Sequence, residues 1–216
     1  MIHWPVAFNP VEEELDVSVR GYNSEDIDDS DGGRNIDPSV SIHETWEGME
    51  ELLDKGLVRQ IGVSNFPVSL LHELLSKSRI APAVNQVELH PYLQQPKLLN
   101  YCQKRGINLQ AYSPLGTPGY KEKEEPSVLK DSTLLGIAAK YDITVAQLCI
   151  AWALQRGTSV VAKSASMEHQ KQNFMAAEDF MQLTDSEMDQ IATLDKHYRY
   201  FRPEDWWGEM GMAVFH

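Results

Sequence analysis

Apolar positions along this chain alternate between two kinds of run. Short runs ending in a polar residue occur at Ile2-His3-Trp4-Pro5, Arg59-Gln-Ile-Gly-Val-Ser64-Asn65, Ala83-Val-Asn-Gln86-Val-Glu88, Ile107-Asn-Leu-Gln-Ala-Tyr112-Ser113 and Ser159-Val-Val-Ala-Lys163. Each has the length and side chains of a buried strand. Apolar residues spaced three and four apart predict helices at 41–56, 67–78, 96–105, 131–156 and 167–173, with a break in the fourth around Asp142-Ile-Thr144. This alternation predicts parallel strands joined by crossover helices, which cover both faces of a sheet or ring a barrel. In either arrangement ligands gather at the carboxyl ends of the strands.

Local signals place the ends of these elements. Ser39 or Ser41 is the expected cap of the first helix, with Trp46, Met49, Leu52 and Leu53 on one face and Gly56 ending it. Pro67 opens the second helix at its first turn. Leu148, Trp152 and Leu154 are expected in the core. Leu183-Thr-Asp-Ser-Glu187 has the form of a capping box, with Thr184 as cap and a helix to about Leu194. Between these elements lie a polar, acidic stretch at 9–38, a loop bearing Gly, Pro and Lys at 117–130, and an aromatic tail from Tyr198 to His216. A loop as long as the first suits a lid, a binding loop or a disordered segment.

A chain of 216 residues that is 42% hydrophobic can bury a real core. The net charge of −13 argues against a nucleic acid or an anionic membrane as partner, but not against an anionic cofactor. Glu12, Glu13, Glu14, Asp16, Glu25, Asp26, Asp28, Asp29 and Asp31 supply much of that charge, in a run suited to a solvated loop and without convergent spacing for a metal. Cys102 and Cys149 sit in helical patterns and read as reduced, buried residues, and no cysteine and histidine cluster has zinc spacing. No apolar run spans a bilayer and the opening residues lack the form of a signal peptide, so a cytoplasmic location is expected.

The strand ends carry the candidate chemistry. Lys163 and Ser164 precede a polar helix, where an ammonium, a hydroxyl and helix N–H groups suit a phosphate; the alternative is a solvated lysine beside serines that cap the helix. Ser64 and Asn65 either cap the helix after Pro67 or present a hydroxyl and an amide to a carboxamide ligand. Gln86, on the inward face of its strand, needs partners that a ligand can supply. Tyr112 is either core packing or a platform for a flat ring. Trp206, Trp207 and Phe215 either line an apolar substrate pocket or pack on the exterior.

Taken together, Ile2-His3-Trp4-Pro5, Ile61-Gly-Val-Ser-Asn-Phe66, Val84-Asn-Gln-Val-Glu-Leu-His-Pro-Tyr92, Ala111-Tyr-Ser-Pro-Leu-Gly116 and Lys163-Ser164 with Asn173-Phe174 resemble the aldo-keto reductases, most of all the aldose, xylose and polyol-phosphate reductase branch. The resemblance covers essentially the whole chain. It implies a (β/α)8 TIM-barrel fold, and a site for NADPH, with NADH possible, at the strand ends. By position it implies that His3 orients or polarises the carbonyl oxygen of a small-molecule substrate. Trp4 and Trp206 would wall the substrate pocket. Ser64, Asn65 and Gln86 would hold the nicotinamide carboxamide, and Tyr112 would stack on the ring. Ser113 and Leu115 would begin the loop over the pyrophosphate, Lys163 and Ser164 would take the 2′-phosphate, and Gln172 and Asn173 would lie at the adenine.

Two departures from the family pattern stand out. His169 occupies the place of an arginine that contacts the ribose phosphate, and an imidazole lacks the bidentate fork, which weakens the preference for NADPH over NADH. Only five of eight βα units are visible where a full barrel takes roughly 250 residues. The resemblance therefore implies a C-terminal part lacking the first three units, with Met1 an internal methionine, and with them the family's catalytic tyrosine, lysine and aspartate. Three functions are consistent with this: a reductase domain with little turnover on its own, a non-catalytic nicotinamide-binding subunit, or an incomplete product that does not fold stably.

Overall fold

A computed structural model of the chain describes residues 1–7, 36–117, 125–178, 182–202 and 214–215. Most of the acidic stretch, Trp206 and Trp207 lie outside them. Four strands, β1 (Val63–Ser64), β2 (Val84–Glu88), β3 (Asn108–Tyr112) and β4 (Ser159–Val161), form one sheet in chain order, every pair parallel. Connections between neighbouring parallel strands require crossovers, and helices provide them. α1 (Ile42–Asp54) precedes β1, α2 (Val68–Lys77) links β1 to β2, and α3 (Pro96–Arg105) links β2 to β3. A 3-10 turn at Val128–Lys130, α4 (Ser132–Lys140) and α5 (Val145–Gln155) lead to β4, followed by α6 (Met167–Glu178) and α7 (Asp185–Ala192).

Alternation along β2 and β3 separates the two faces of the sheet. Asn85, Val87, Leu109 and Ala111 are buried on one face, together with Leu71, Leu74, Cys102, Leu148 and Trp152 from the helices. Val84, Gln86, Gln110 and Tyr112 share the other face and are half-buried. On the polar face, Gln86 Nε2 donates to Gln110 Oε1 (2.6 Å) and Gln110 Nε2 to Ser159 Oγ (3.2 Å), so the amides cross-link three strands. Gly62 lies so close to β2 that a Cβ there would overlap the side chain and carbonyl of Val84.

The expected strands are shorter than their apolar runs. Ile2–Pro5 contributes one parallel bridge, from Ile2 to Val63, because the chain bends from His3 onward and Pro5 has no N–H to continue a ladder. The run from Arg59 to Asn65 pairs regularly only at Val63–Ser64, and β4 stops at Val161, so Lys163 lies beyond the strand. The sheet thus holds four strands and a bridge where five strands are expected. The last helical run extends to Glu178 instead of residue 173.

The helix ends follow their local chemistry closely. Ser41, not Ser39, accepts from the Glu44 N–H and caps α1, while Gly56 follows its end at φ +65°. The break in the fourth helical run is a bend of 87° between α4 and α5, with Asp142 in the left-handed region and a capping box from Thr144 and Gln147 restarting the helix. Leu148 and Trp152 are buried as expected, and Leu154 is half-buried. Among the described residues, no single helix is long and apolar enough to cross a membrane.

Thr184 and Glu187 form the expected capping box of α7, and the buried Glu187 also accepts from Tyr141 Oη (2.6 Å) and Lys140 Nζ (3.2 Å). The Tyr141 hydroxyl, then the Thr184 N–H and hydroxyl and Lys140, hold the Glu187 carboxyl down at about 2, from an ordinary 4.5. Because the folded state lowers this pKa, its contribution to stability is present in full above 4.5 and is lost as pH falls through about 2. Thermal melts of Glu187→Gln should therefore show a lower melting temperature than wild type at neutral pH, with the difference shrinking as the solution is acidified through that window.

Candidate cofactor site

Parallel pairing brings the carboxyl ends of all four strands to one edge of the sheet. Ser64 pairs with Gln86, Glu88 with Tyr112, and Tyr112 with Val161, so the strand tips form a continuous rim. Asn65 is the hub of that rim. Its backbone turns out of β1 in the left-handed region at φ 64°, a conformation asparagine tolerates better than most residues, while its N–H donates to the Gln86 carbonyl (2.9 Å). Its Nδ2 donates to the His3 carbonyl (3.0 Å), and its Oδ1 accepts from Tyr112 Oη (2.9 Å). Ser64 Oγ donates to the Gln86 carbonyl at 2.7 Å. One asparagine and one serine thus tie the N-terminal segment, β1, β2 and β3 together.

Neither residue caps α2: Pro67 itself stands at the N-cap, just before the helix and not in its first turn, and no side chain bonds there. Ser64 and Asn65 are each only 1% exposed, so they form the back of the site, while Gln86 and Tyr112 are half-buried and form its accessible part. Unused hydrogen-bonding capacity remains there. Gln86 Oε1 receives no hydrogen bond from a described residue, and the Asn65 carbonyl oxygen keeps a second lone pair. These groups fit a flat ring bearing a carboxamide: an amide acceptor at Gln86 beside a tyrosine face fixed at its hydroxyl. Burial pushes the Tyr112 phenol pKa upward, and the nearby Glu88 charge adds to the shift. A donor held in this way positions its ring and is a weak proton source near neutrality.

Two buried polar residues of β2 that no sequence motif singles out support this hub. Asn85 is fully buried on the helix side of β2, where its Nδ2 donates to the Phe66 carbonyl (2.8 Å) and its Oδ1 accepts from the Phe66 N–H (3.4 Å). It clamps the turn that carries Asn65. Glu88 is fully buried too and accepts from His90 Nε2 (2.9 Å) and from the backbone N–H groups of Tyr200 (2.8 Å) and Phe201 (3.2 Å). The available signal was the polar set at 85, 86, 88 and 90 inside an otherwise apolar strand, since buried polar groups are retained where they find partners.

The remaining candidate residues are spread along the rim. The exposed ring of His3 lies 5.7 Å from Trp4, and partial burial lowers its pKa. Trp4 in turn lies 6.2 Å from Phe215, whose face is covered by the Arg199 guanidinium at 3.6 Å. Ser113 is left-handed at φ 48° and its carbonyl accepts the Gly116 N–H, which closes a turn that contains the half-buried Leu115.

At the far end, Lys163 and His169 are exposed and Gln172 and Asn173 half-buried. The helix N–H groups expected to be free there are partly engaged by serines. Ser164 Oγ accepts from the Ser166 N–H (3.1 Å) and Ser166 Oγ from the His169 N–H (3.4 Å). Gln172 Nε2 donates to Glu168 Oε1 (2.9 Å), which puts a carboxylate in the first turn of α6. A phosphate at this terminus would share it with Glu168, and Lys163 is an exposed cation just before the helix.

Among the described residues a tyrosine, a lysine and a carboxylate meet in two places. Tyr92 donates to Asp131 (2.9 Å) beneath Lys196, and Tyr141 donates to Glu187 beside Lys140. Both phenol pKa values are raised, that of Tyr92 by burial and then Asp131, that of Tyr141 by its bond to Glu187. A hydroxyl that donates to a carboxylate is tuned away from acid catalysis, so both sets are structural. The two cysteines are buried and free, with burial pushing Cys102 up to about 11 and Cys149 further. No group of three His, Cys, Asp or Glu among the described residues is placed to hold a metal ion.

A parallel sheet with crossover helices and a polar site at its carboxyl edge defines an α/β protein whose candidate site lies at the strand ends. Comparison with known proteins makes the class specific. Residues 2–196 match the model of the aldo/keto reductase family, and the chain belongs to that family. It is 42% identical over 212 residues to an aldo/keto reductase of Synechocystis sp., which covers 95% of this chain and 60% of that protein. It is 39% identical to the NAD(P)H-dependent D-xylose reductase of Candida tenuis, over 95% of this chain and 63% of that protein. A crystal structure of an aldo-keto reductase complexed with NADPH superposes with a TM-score of 0.76 at 31% identity, covering 96% of this chain and 56% of the other. The chain thus spans about three fifths of the length of these curated relatives.

If Asn65 is the hub, Tyr112→Phe leaves its buried carbonyl oxygen without that donor. The expected loss is about 1–3 kcal/mol in urea unfolding, whereas Tyr101→Phe, which removes only an exposed bond of 3.2 Å to His72, should cost well under that.

Proposed function

We propose that this chain forms the cofactor-binding rim of an NADPH-dependent aldehyde or sugar reductase. The observation that carries the reading is the convergence of Asn65, Gln86 and Tyr112 through bonds of 2.9 Å each from the Asn65 N–H to the Gln86 carbonyl and from Tyr112 Oη to Asn65 Oδ1. Gln86 Oε1 takes a carboxamide N–H, Asn65 and Ser64 orient the site from behind, and the Tyr112 face supports the ring. The Ser113 turn lies along the pyrophosphate, and Lys163 and Ser164 take the 2′-phosphate with His169, Gln172 and Asn173 near the adenine. When bound, the cofactor supplies the hydride for a carbonyl carbon. The chain's own part is to bind, to orient, and to place His3 and Trp4 at the carbonyl side of the ring.

Reduction also needs a general acid for the carbonyl oxygen. Tyr112 is committed to Asn65, Tyr92 and Tyr141 are bonded to carboxylates, and His3, whose pKa burial lowers, is largely unprotonated near neutrality. This favours binding with little turnover by the 216-residue chain. Fluorescence titration should show NADPH binding to wild type, weakened about tenfold, or roughly 1.4 kcal/mol, by Gln86→Ala. Saturating NADPH should raise the melting temperature. NADPH oxidation over a panel of aldoses and simple aldehydes should stay at background. Absence of binding sinks the cofactor reading, and robust turnover sinks the assignment of the acid.

A further inference from the structure

Glu88 and Tyr200 belong to none of the ligand contacts proposed above, yet they join several walls of the rim. Three donors, His90 Nε2 and the N–H groups of Tyr200 and Phe201, converge on the two oxygens of the buried Glu88 carboxylate. Hydrogen bonds to a carboxylate are among the stronger ones a protein makes. With Nε2 so engaged, His90 Nδ1 is left without a hydrogen-bond partner, and the ring is held 5.1 Å from that of Tyr200. A fully buried carboxylate is being used here to hold main chain from a segment over a hundred residues away.

That segment then reaches back to the site twice. Phe201 meets the Tyr112 ring edge-on at 5.5 Å and 81°. The Tyr200 ring lies against Gly116, where a Cβ would come within 2.8 Å of Cε2 and where φ is +72°, so the close approach depends on glycine. Gly116 closes the Ser113 turn through its bond to the Ser113 carbonyl (2.9 Å). Tyr200 Oη also donates to the Pro126 carbonyl (2.7 Å), and Tyr198, edge-on to Tyr200 at 5.1 Å, donates to Glu125 Oε1 (3.1 Å). One segment therefore grips β2, the ring platform and the turn after β3 at once.

We infer that Glu88 and Tyr200 are positioning residues that lock residues 198–201 to the Tyr112 ring and the Ser113–Gly116 turn, so that this part of the C-terminal tail is a wall of the cofactor site. The consequence for ligand binding rests on the cofactor reading above; the lock itself does not. A rigid turn presents its groups without an ordering cost, so loosening it shortens the residence of a bound dinucleotide.

Amide hydrogen exchange on the ligand-free chain tests the lock. In Glu88→Gln, whose amide turns a donor toward one of the three donors, exchange at Tyr200, Phe201 and Gly116 is expected to rise about tenfold, with the Asn65 amide unchanged. Tyr200→Ala keeps the backbone bonds to Glu88 and should speed Gly116 alone, which decides the matter if the first variant does not fold. A rise confined to 200–201 in Glu88→Gln, a uniform rise across the chain, or an unmoved Gly116 in Tyr200→Ala overturns the inference. In stopped flow, NADPH should leave either variant about tenfold faster than wild type. If wild type binds NADPH and the variants release it at the same rate, the positioning role is wrong. If wild type binds none, the cofactor reading falls and the exchange result alone judges the lock.

Discussion

The carboxyl edge of this sheet depends on the satisfaction of one buried amide. Asn65 sits where β1 ends, almost wholly out of water, with a donor and an acceptor that each cost free energy if left unpaired. Its Nδ2 takes the His3 carbonyl and its Oδ1 takes the Tyr112 hydroxyl, which positions the N-terminal segment and the end of β3 together. The left-handed backbone at Asn65 is what aims the side chain across the rim, and the Asn85 clamp on Phe66 keeps that turn from relaxing. Tyr112 therefore acts through its hydroxyl as a strut, and the platform proposed for its face does not compete with that use.

The same logic governs the polar face of the sheet. In a closed barrel, inward side chains are enclosed on all sides. Here Gln86, Gln110 and Ser159 hydrogen-bond to one another across three strands, which satisfies much of their polarity within the sheet itself. Two cavities bordered by described residues lie at the opposite, amino end of the strands, near Arg59, Gln60, Met1 and Asn108. Shape alone would direct attention there. The rim is the better candidate because it gathers an amide acceptor, a ring face and left-handed turns.

The tail from Tyr198 onward changes the division of labour within the site. The resemblance assigns such a segment to the substrate side, yet its described residues grip Glu88, Tyr112 and Gly116, on the cofactor side. Phe215 reaches Trp4 instead, so the tail meets the site at two places and links the N-terminal segment to the end of β3. A rim held in this way is assembled from segments far apart in the chain, and its geometry is only as well defined as the bonds between them.

Much of the local architecture was legible in the residues. Thr184 with Glu187, Gly56 after α1 and the apolar spacing of α2, α3 and α5 are choices made within one or two turns of chain, where backbone sterics and capping operate without help from afar. The strand identities of β2 and β3, and the candidates Ser64, Asn65, Gln86 and Tyr112, followed from period-two patterning and from the family resemblance. Strand lengths were not legible, because where β1 and β4 stop depends on which neighbours are present to accept their hydrogen bonds. Glu88 was not legible as a tether either, since its three donors are placed by a turn at His90 and a tail at Tyr200 and Phe201. The sequence by itself determined which segments are helix and, apart from the Ile2–Pro5 run, which are strand, through short-range periodicity. Only the tertiary structure decided which polar groups meet, because a buried hydrogen bond is satisfied by whatever lies within 3 Å and not by what lies near in the chain.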